Sequence, residues 1–217
     1  MRPASAATLI LIDRSGRAPT VLMGRRHAGH AFMPDKYVFP GGRLEPQDRH
    51  MQAAGALPSV VEEKLSKRVR RPSPTRARAQ ALAAIRETFE ETGLLLAKPG
   101  THRPIAGPWR LFVEQNALPD LAALDFIARA VTPPMVPKRF DARFFMADAE
   151  NLLSLDRQAD CGELDEIAWF GLEEALSLDL PAVTDMVLRE IPLRLADPHR
   201  PFPYLRMRRG QRGMSAA

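Results

Sequence analysis

Residues 86–93 are the most informative stretch of the chain and read Arg86-Glu87-Thr88-Phe89-Glu90-Glu91-Thr92-Gly93. They end the strongest helix that the sequence predicts, Thr75–Gly93, with Thr75 as N-cap and Gly93 as a left-handed C-terminal residue. Three glutamates share one face of this helix at i, i+3 and i+4: Glu87, Glu90 and Glu91. The opposite face is apolar and carries Leu82, Ile85 and Phe89. The pattern predicts a helix packed on its apolar side and presenting three carboxylates on the other.

Three neighbouring carboxylates repel one another, and like charges four residues apart cost roughly 0.2–0.5 kcal/mol on an exposed helix. Arg86 can reach Glu90 at i+4 and offset part of this cost. A hard divalent cation would offset more, because Mg²⁺ takes oxygen ligands and bridges carboxylates to phosphates. A solvated acidic face balanced by ion pairs is the other interpretation, so the helix alone leaves both open.

A glycine turn lies upstream in the segment Phe39-Pro40-Gly41-Gly42-Arg43-Leu44-Glu45, directly after a predicted strand. Glycines at such a place let the backbone approach a ligand or metal closely. A plain hairpin turn would need the same residues.

Together, the turn and the helix resemble the Nudix hydrolases, whose signature is G-x5-E-x7-R-E-U-x-E-E-x-G-U, with U a bulky apolar residue. Gly42 matches the first glycine, and Asp48 stands at the next acidic position, where the family has Glu. The later matches are Arg86, Glu87, Glu90, Glu91, Gly93 and Leu94. Thr88 occupies the first apolar position, which is a mild departure.

The spacing departs from the signature, since 37 residues separate Asp48 from Arg86 where the family has seven. Loop closure becomes costlier only slowly with length, so an insertion here need not destroy the site. It leaves the role of Asp48 open and makes Gln52–Arg76 a candidate substrate cover. An insertion at this point resembles Nudix proteins related to the peroxisomal acyl-coenzyme A diphosphatases. Val38–Gly42 and Pro137–Phe145 are similar to that subgroup too.

The resemblance implies a site that binds Mg²⁺ or Mn²⁺ through Glu87, Glu90, Glu91 and the Gly41 carbonyl, and that hydrolyses a diphosphate linkage. Glu87 and Glu91 would be catalytic, with Arg86 orienting the carboxylates. The general base would be one of these glutamates or a downstream acid, of which Glu163 is the first choice. Arg25 and Arg139 are the predicted substrate-binding residues, although packing or ion pairing would use arginines equally well.

The resemblance also implies a substrate, a small nucleoside diphosphate derivative, with coenzyme A or an acyl-coenzyme A preferred. A 3′-phosphate would suit the basic insertion, and an acyl chain would suit its apolar residues, Leu57, Val60, Val61 and Leu65. ADP-ribose or a nucleotide sugar is the alternative. An alternative of another class is a non-catalytic module that senses a nucleotide or binds RNA.

Intermixed strands and helices predict an α/β fold, a Nudix-like α/β/α sandwich with a mixed central sheet and a helical insertion at about 49–75. The predicted strands are Ala6–Asp13, Thr20–Arg26, Lys36–Phe39, Phe126–Thr132, Ala142–Ala147 and Glu166–Phe170. The predicted later helices are Leu172–Leu178 and Val183–Ala196. One domain over residues 1–197 would precede a Pro/Arg-rich tail at 198–217, irregular at Pro198–Pro203.

Composition bounds these predictions, because 45% hydrophobic and 26% charged residues are ordinary for a globular protein. Cys161 is the only cysteine, and no apolar stretch approaches a membrane span, so a cytoplasmic protein without membrane partners is expected. The net charge of +5 is concentrated in residues 62–79 and in the C-terminal arginines, which a solvated surface or a polyanionic substrate would each explain. Nucleic acid is not the expected partner, and a homodimer is left open.

Overall fold

The structure is a computed structural model that describes residues 2–29, 33–134, 138–155, 164–208 and 211–216. Its strands are β1 Ala4–Asp13, β2 Thr20–Arg26, β3 Tyr37–Val38, β4 Gly41–Arg43, β5 Ala97–Pro99, β6 Ala117–Pro119, β7 Asp125–Val131, β8 Phe140–Asp148, β9 Leu164–Gly171, β10 Pro203–Arg208 and β11 Gln211–Ala216. Its α-helices are α1 Ser59–Ser66, α2 Pro74–Thr92, α3 Arg110–Glu114, α4 Leu172–Ser177 and α5 Ala182–Ala196. Short 3-10 turns occupy Pro46–Arg49, Leu121–Ala123 and Ala149–Asn151.

A mixed sheet of nine strands dominates the described part of the chain, in the order β11-β10-β7-β8-β1-β2-β3, with β4 paired to β1 and β9 to β2. β1 runs parallel to β8, and β7 parallel to β10, while the other pairs are antiparallel. Successive side chains of a strand point to opposite faces, and β1 buries both of its faces. Leu9 and Leu11 join the core that includes α2, and Ile10 and Ile12 join the core that includes α5. The predicted α/β/α sandwich is thereby confirmed.

The start of α2 differs from the prediction by two residues. Ser73, not Thr75, is the N-cap, and its hydroxyl accepts a hydrogen bond from the Arg76 backbone N–H at 3.3 Å. Pro74 opens the helix, because the first helical position needs no backbone donor. At the other end, Gly93 adopts the predicted left-handed conformation with φ of 74° and donates to the Phe89 carbonyl.

The insertion is helical only at α1. The expectation that its four apolar residues would form a surface for an acyl chain is wrong for three of them. Leu57, Val61 and Leu65 are buried in the same core as α2, and only Val60 is largely exposed. Burying a branched apolar side chain contributes roughly 1.5–3 kcal/mol, so these three residues anchor the insertion to the domain. Of the four apolar residues, Val60 alone is therefore open to a substrate.

The C-terminal segment predicted as a tail is irregular up to Phe202 and then extends the sheet. β10 pairs with β7 through Tyr204–Arg129 and the two following positions, and β11 pairs with β10. β5 and β6 form a separate two-stranded antiparallel sheet, and α3 lies between them in the chain. None of these three elements was predicted from the sequence. None of the helices in the described residues is long and apolar enough to cross a membrane.

Candidate active site

Two of the three glutamates of α2, Glu87 and Glu91, lie against the turn formed by Gly41 and Gly42. Glu91 is 5% exposed, and its Oε2 accepts a hydrogen bond of 2.7 Å from the Gly41 backbone N–H. Glu87 lies against Gly42, where an added Cβ atom would come within 2.5 Å of Glu87 Oε1. The second glycine is therefore needed for space, and it lets the helix carboxylates approach the β4 backbone.

Arg86 holds these carboxylates from behind. Its Nη1 lies 2.7 Å from Glu90 Oε2 and 3.0 Å from Glu87 Oε1, and its side chain is only 2% exposed. Burial by itself lowers the pKa of Arg86, but the hydrogen bond with Asp48 and the charges of Glu87, Asp48 and Glu90 outweigh it and raise that pKa above its ordinary value. Arg86 is thus a permanent cation that offsets the repulsion between the glutamates.

Asp48 contacts Arg86 directly, although 37 residues separate the two in the chain. Its carboxylate is fully buried and receives Arg86 Nε at 2.9 Å and Nη2 at 3.2 Å. Trp109 Nε1 donates to the same carboxylate at 2.9 Å, and the Glu45 backbone N–H at 2.7 Å. Asp48 thus holds the Arg86 side chain in place. Its place six residues after Gly42 was a signal in the sequence, whereas nothing there pointed to Trp109.

The donor set fits a hard divalent cation in its chemistry, since several carboxylate oxygens lie beside a glycine turn in a partly buried place. Among the described residues, however, no three carboxylate, imidazole or thiol groups are arranged as ligands of one ion. The reason is visible in the contacts: Glu90 and Glu87 turn toward Arg86, and Glu91 toward the Gly41 N–H. A bound cation would compete with these contacts for the carboxylate oxygens.

Of the remaining predicted site residues, Arg25 and Arg139 have partners outside this cluster, and Glu163 is not described. Arg25 on β2 pairs with Glu166 at 2.6 Å and with Asp35 at 3.4 Å. Tyr37 donates to the same Glu166, whose pKa is held low by that hydrogen bond and by Arg25. Arg139 lies beside Ala4 at the start of β1, about 13 Å along the strand from the position that pairs with Gly41. Glu163 falls outside the described residues.

A NUDIX hydrolase from Alicyclobacillus acidocaldarius superposes with a TM-score of 0.65 and 26% sequence identity, covering 90% of this chain and 96% of that one. The chain has the Nudix hydrolase fold. The residues that resemble the Nudix signature lie on α2 and in the Gly41–Gly42 turn, and the segment that carries α1 lies between them in the chain.

Two curated proteins are similar in sequence. The acyl-coenzyme A diphosphatase NUDT19 of Gallus gallus is 34% identical over 119 residues, which is 46% of this chain and 31% of that protein. The putative nudix hydrolase 7 of Caenorhabditis elegans is 25% identical over 184 residues, 79% of this chain and 52% of that protein. The chain thus spans about a third of the length of the first relative and about half of the length of the second. No family model matches it. The prediction of a Nudix hydrolase is confirmed at the level of the fold and of these relatives.

Proposed function

We propose that this Nudix-fold chain is a divalent-cation-dependent hydrolase that splits a diphosphate linkage in a nucleoside diphosphate derivative. The observation that carries the proposal is the joint placement of Glu87 and Glu91 against the Gly41–Gly42 turn, with Arg86 buried behind them. A structural helix has no need to collect three carboxylates at a glycine turn, where they repel one another. A site that must hold cations and phosphate does need them.

Each residue has a distinct task in this proposal. Glu87, Glu90 and Glu91 would hold Mg²⁺ or Mn²⁺, together with the Gly41 carbonyl. A cation held there would supply charge neutralisation for the phosphates and a lower pKa for an attacking water. Arg86 keeps the carboxylates in register, and Asp48 keeps Arg86 in place. Proton transfer from the water would fall to one of the glutamates or to Glu163, which stays a prediction from the sequence.

The preferred substrate is coenzyme A or an acyl-coenzyme A, and the similarity to a protein named an acyl-coenzyme A diphosphatase supports this choice. The insertion offers less support for an acyl-chain site than its composition suggested, because Leu57, Val61 and Leu65 are buried in the core. ADP-ribose or a nucleotide sugar is the alternative substrate class, since the carboxylate cluster recognises the diphosphate and not its substituents.

A non-catalytic module that binds a nucleotide or RNA is the alternative of another class. The basic residues of the insertion and the C-terminal arginines would suit such a module, because they attract polyanions. The carboxylate cluster favours the enzyme, because acidic groups at the centre of a site repel a polyanion unless a cation binds with it. A fold alone does not decide between the two.

The deciding experiment measures phosphate-containing products from coenzyme A, an acyl-coenzyme A, ADP-ribose, a nucleotide sugar and a capped RNA. Each compound is tested with Mg²⁺ and with Mn²⁺, and again with a chelator. Glu91→Gln removes one carboxylate charge at nearly constant shape, and Glu173→Gln, at an exposed position on α4, is the matched control. Circular dichroism establishes that both variants are folded.

We expect cation-dependent cleavage of at least one compound by the wild type and by Glu173→Gln. Glu91→Gln should lose about 10²-fold or more of this activity, since even the loss of groups behind metal ligands costs roughly 10–100-fold. Full activity of Glu91→Gln, or activity in the chelator, would overturn the assignment of the site. Tight nucleotide binding without cleavage of any compound would favour the binding module.

A further inference from the structure

A cavity of about 460 Å³ opens at the N-terminal end of α2, away from the carboxylates. One wall comes from the end of the insertion, with Arg68, Arg70 and Arg71, and from Arg76 in the first turn of α2. These four side chains belong to exposed residues. Arg76 opposes the helix dipole, which favours acidic residues at a helix N-terminus, so helix stability does not explain its presence.

The opposite wall comes from the sheet and could not be foreseen from the local charge of the insertion. Arg129 on β7, Arg143 on β8 and Arg2 before β1 line it, and Asp141 is the acidic residue among its described lining residues. Seven guanidinium groups thus surround one carboxylate. This excess of positive charge creates a positive potential in the cavity, which raises the local concentration of anions.

The sheet side of the cavity is held firmly in place. Asp141 accepts two hydrogen bonds of 2.8 Å from Arg129 and lies 2.6 Å from Arg143 Nη1. The guanidinium of Arg129 lies 4.9 Å from the ring centre of Tyr204, and its Nη1 donates to the Arg68 carbonyl at 3.0 Å. The insertion is thereby tied to the sheet at Arg68, whose φ of 56° is unusual for a non-glycine residue. A ligand would find these donors already positioned.

Collecting the arginines has an electrostatic cost. Burial is the main cause that lowers the pKa of Arg143, and the charges of Arg129 and Arg76 lower it further, against the opposing effect of Asp141. A bound anion would relieve this repulsion. Arginine presents a planar fork of donors that matches phosphate oxygens, and charge-assisted hydrogen bonds are about twice as strong as neutral ones.

The cavity and the proposed cleavage site lie on nearly the same face of α2, at different points along the helix. Arg76 and Glu87 are eleven residues apart on α2, which places them within about 20° of the same face and roughly 16 Å apart along the axis. We propose that the arginine-lined cavity is a second anion site that binds a phosphate group. The phosphate would belong either to the far end of the substrate or to a free phosphate anion.

The test is calorimetric titration of inorganic pyrophosphate into the full chain in metal-free buffer of low ionic strength. Without a cation the carboxylate cluster repels pyrophosphate, so binding reports on the cavity. The variant combines Arg70→Gln, Arg71→Gln and Arg76→Gln, which are exposed changes that leave Asp141 and its partners intact. The control combines Arg17→Gln, Arg103→Gln and Arg189→Gln, which removes the same charge from exposed positions outside the lining.

We expect the dissociation constant to rise about tenfold or more in the cavity variant, as the loss of even one charge-assisted hydrogen bond predicts. The control should stay close to the wild type. Absence of binding to the wild type, equal affinity of the wild type and the cavity variant, or equal weakening in the control would overturn the proposal. Because no cleavage is measured, these results stand whether or not the hydrolase assignment holds.

A kinetic arm, which rests on the proposed hydrolysis of coenzyme A, distinguishes the two sources of phosphate. Coenzyme A and its 3′-dephosphorylated form differ by one phosphate monoester at a distance from the diphosphate. A rise in KM of the cavity variant for the phosphorylated compound only would assign the cavity to the substrate. Unchanged KM for both compounds, with pyrophosphate binding lost, would assign it to a free phosphate anion.

Discussion

The carboxylate of Asp48 and the guanidinium of Arg86 form a buried ion pair, with Oδ1 and Nε 2.9 Å apart, although 37 residues separate them in the chain. Both side chains are at most 2% exposed. Arg86 also donates to the Arg43 carbonyl at 2.9 Å, so a single side chain connects the β4 turn, Asp48 and α2. The segment before the insertion is thereby joined to the helix that follows it.

Asp48→Asn should destabilise the protein and impair the site together. Removing one partner of a buried pair costs about 3–5 kcal/mol, because the remaining charge is left uncompensated. Arg86 would lose its anchor, and the carboxylates it orients would become less well placed, with an expected loss of about 10–100-fold in kcat. Urea unfolding and steady-state kinetics at saturating cation measure the two effects.

Trp109→Phe is the matched control, since it removes one hydrogen bond to Asp48 and keeps the charge pair. It should cost about 1 kcal/mol or somewhat more from the unsatisfied bond and the smaller ring, with little change in kcat. An unaltered kcat in folded Asp48→Asn would show that Asp48 has no positioning role.

The two glycines of the turn should respond differently to alanine. A Cβ atom at Gly42 would meet the carboxylate of Glu87, a side chain that can move, whereas one at Gly41 would lie 2.5 Å from the Ala7 carbonyl oxygen of β1. Gly42→Ala should therefore lower activity and cation affinity with a modest change in Tm. Gly41→Ala should lower Tm strongly, because backbone has to shift. Thermal unfolding and activity of both variants test this, and equal Tm losses would contradict it.

Much of the fold could be predicted because its elements are long and regular. β1 was predicted as Ala6–Asp13 and found as Ala4–Asp13, and α5 as Val183–Ala196 and found as Ala182–Ala196. The strands β5 and β6 were not predicted, because a segment of three residues shows no periodicity. The C-terminal strands escaped because a Pro/Arg-rich composition was interpreted as irregular, whereas β10 pairs with β7.

The site could be predicted in part for a similar reason. Glu87, Glu90 and Glu91 lie within one helical turn, so their common face follows from helix geometry. The arginine cavity depends on Arg129 and Arg143, which only the pairing of β7 with β8 brings to the insertion. Contacts between residues so far apart in sequence are set by the tertiary fold.

Arg25→Gln tests the predicted substrate contact of that residue. If Arg25 binds the substrate, KM should rise about tenfold with kcat unchanged, as expected for loss of a charge-assisted hydrogen bond. Tm should hardly move, because Arg25 pairs with Glu166 at the surface. Glu166→Gln releases Arg25 from this pair and should not raise KM. An unchanged KM in Arg25→Gln would leave the residue as a surface ion-pair partner, and Arg139→Gln can be judged by the same measure.

Asp141 should give the stability of the protein a dependence on acidic pH. Burial raises the pKa of Asp141, but the hydrogen bonds from Arg129 and the charge of Arg143 outweigh it and hold the pKa below its ordinary value. A carboxyl with a lowered folded-state pKa stabilises the fold above its unfolded-state pKa of about 3.9, and this contribution is lost as the pH falls through the folded-state value.

Asp141→Asn should therefore cost roughly 2–3 kcal/mol at pH 7, less than a fully buried pair because the carboxylate is partly exposed. The difference from the wild type should close as the pH is lowered toward the folded-state pKa, since the wild-type carboxyl then becomes neutral as well. Urea unfolding at pH 7, 5, 4 and 3, chosen to span the titration of a carboxyl, measures this. Asp185→Asn, on the exposed face of α5, is the control and should change little at any of these values. A constant difference across the series would mean that Asp141 acts through shape and not through charge. Pyrophosphate should still bind to folded Asp141→Asn, because the change removes the one negative charge from the described lining of the arginine cavity.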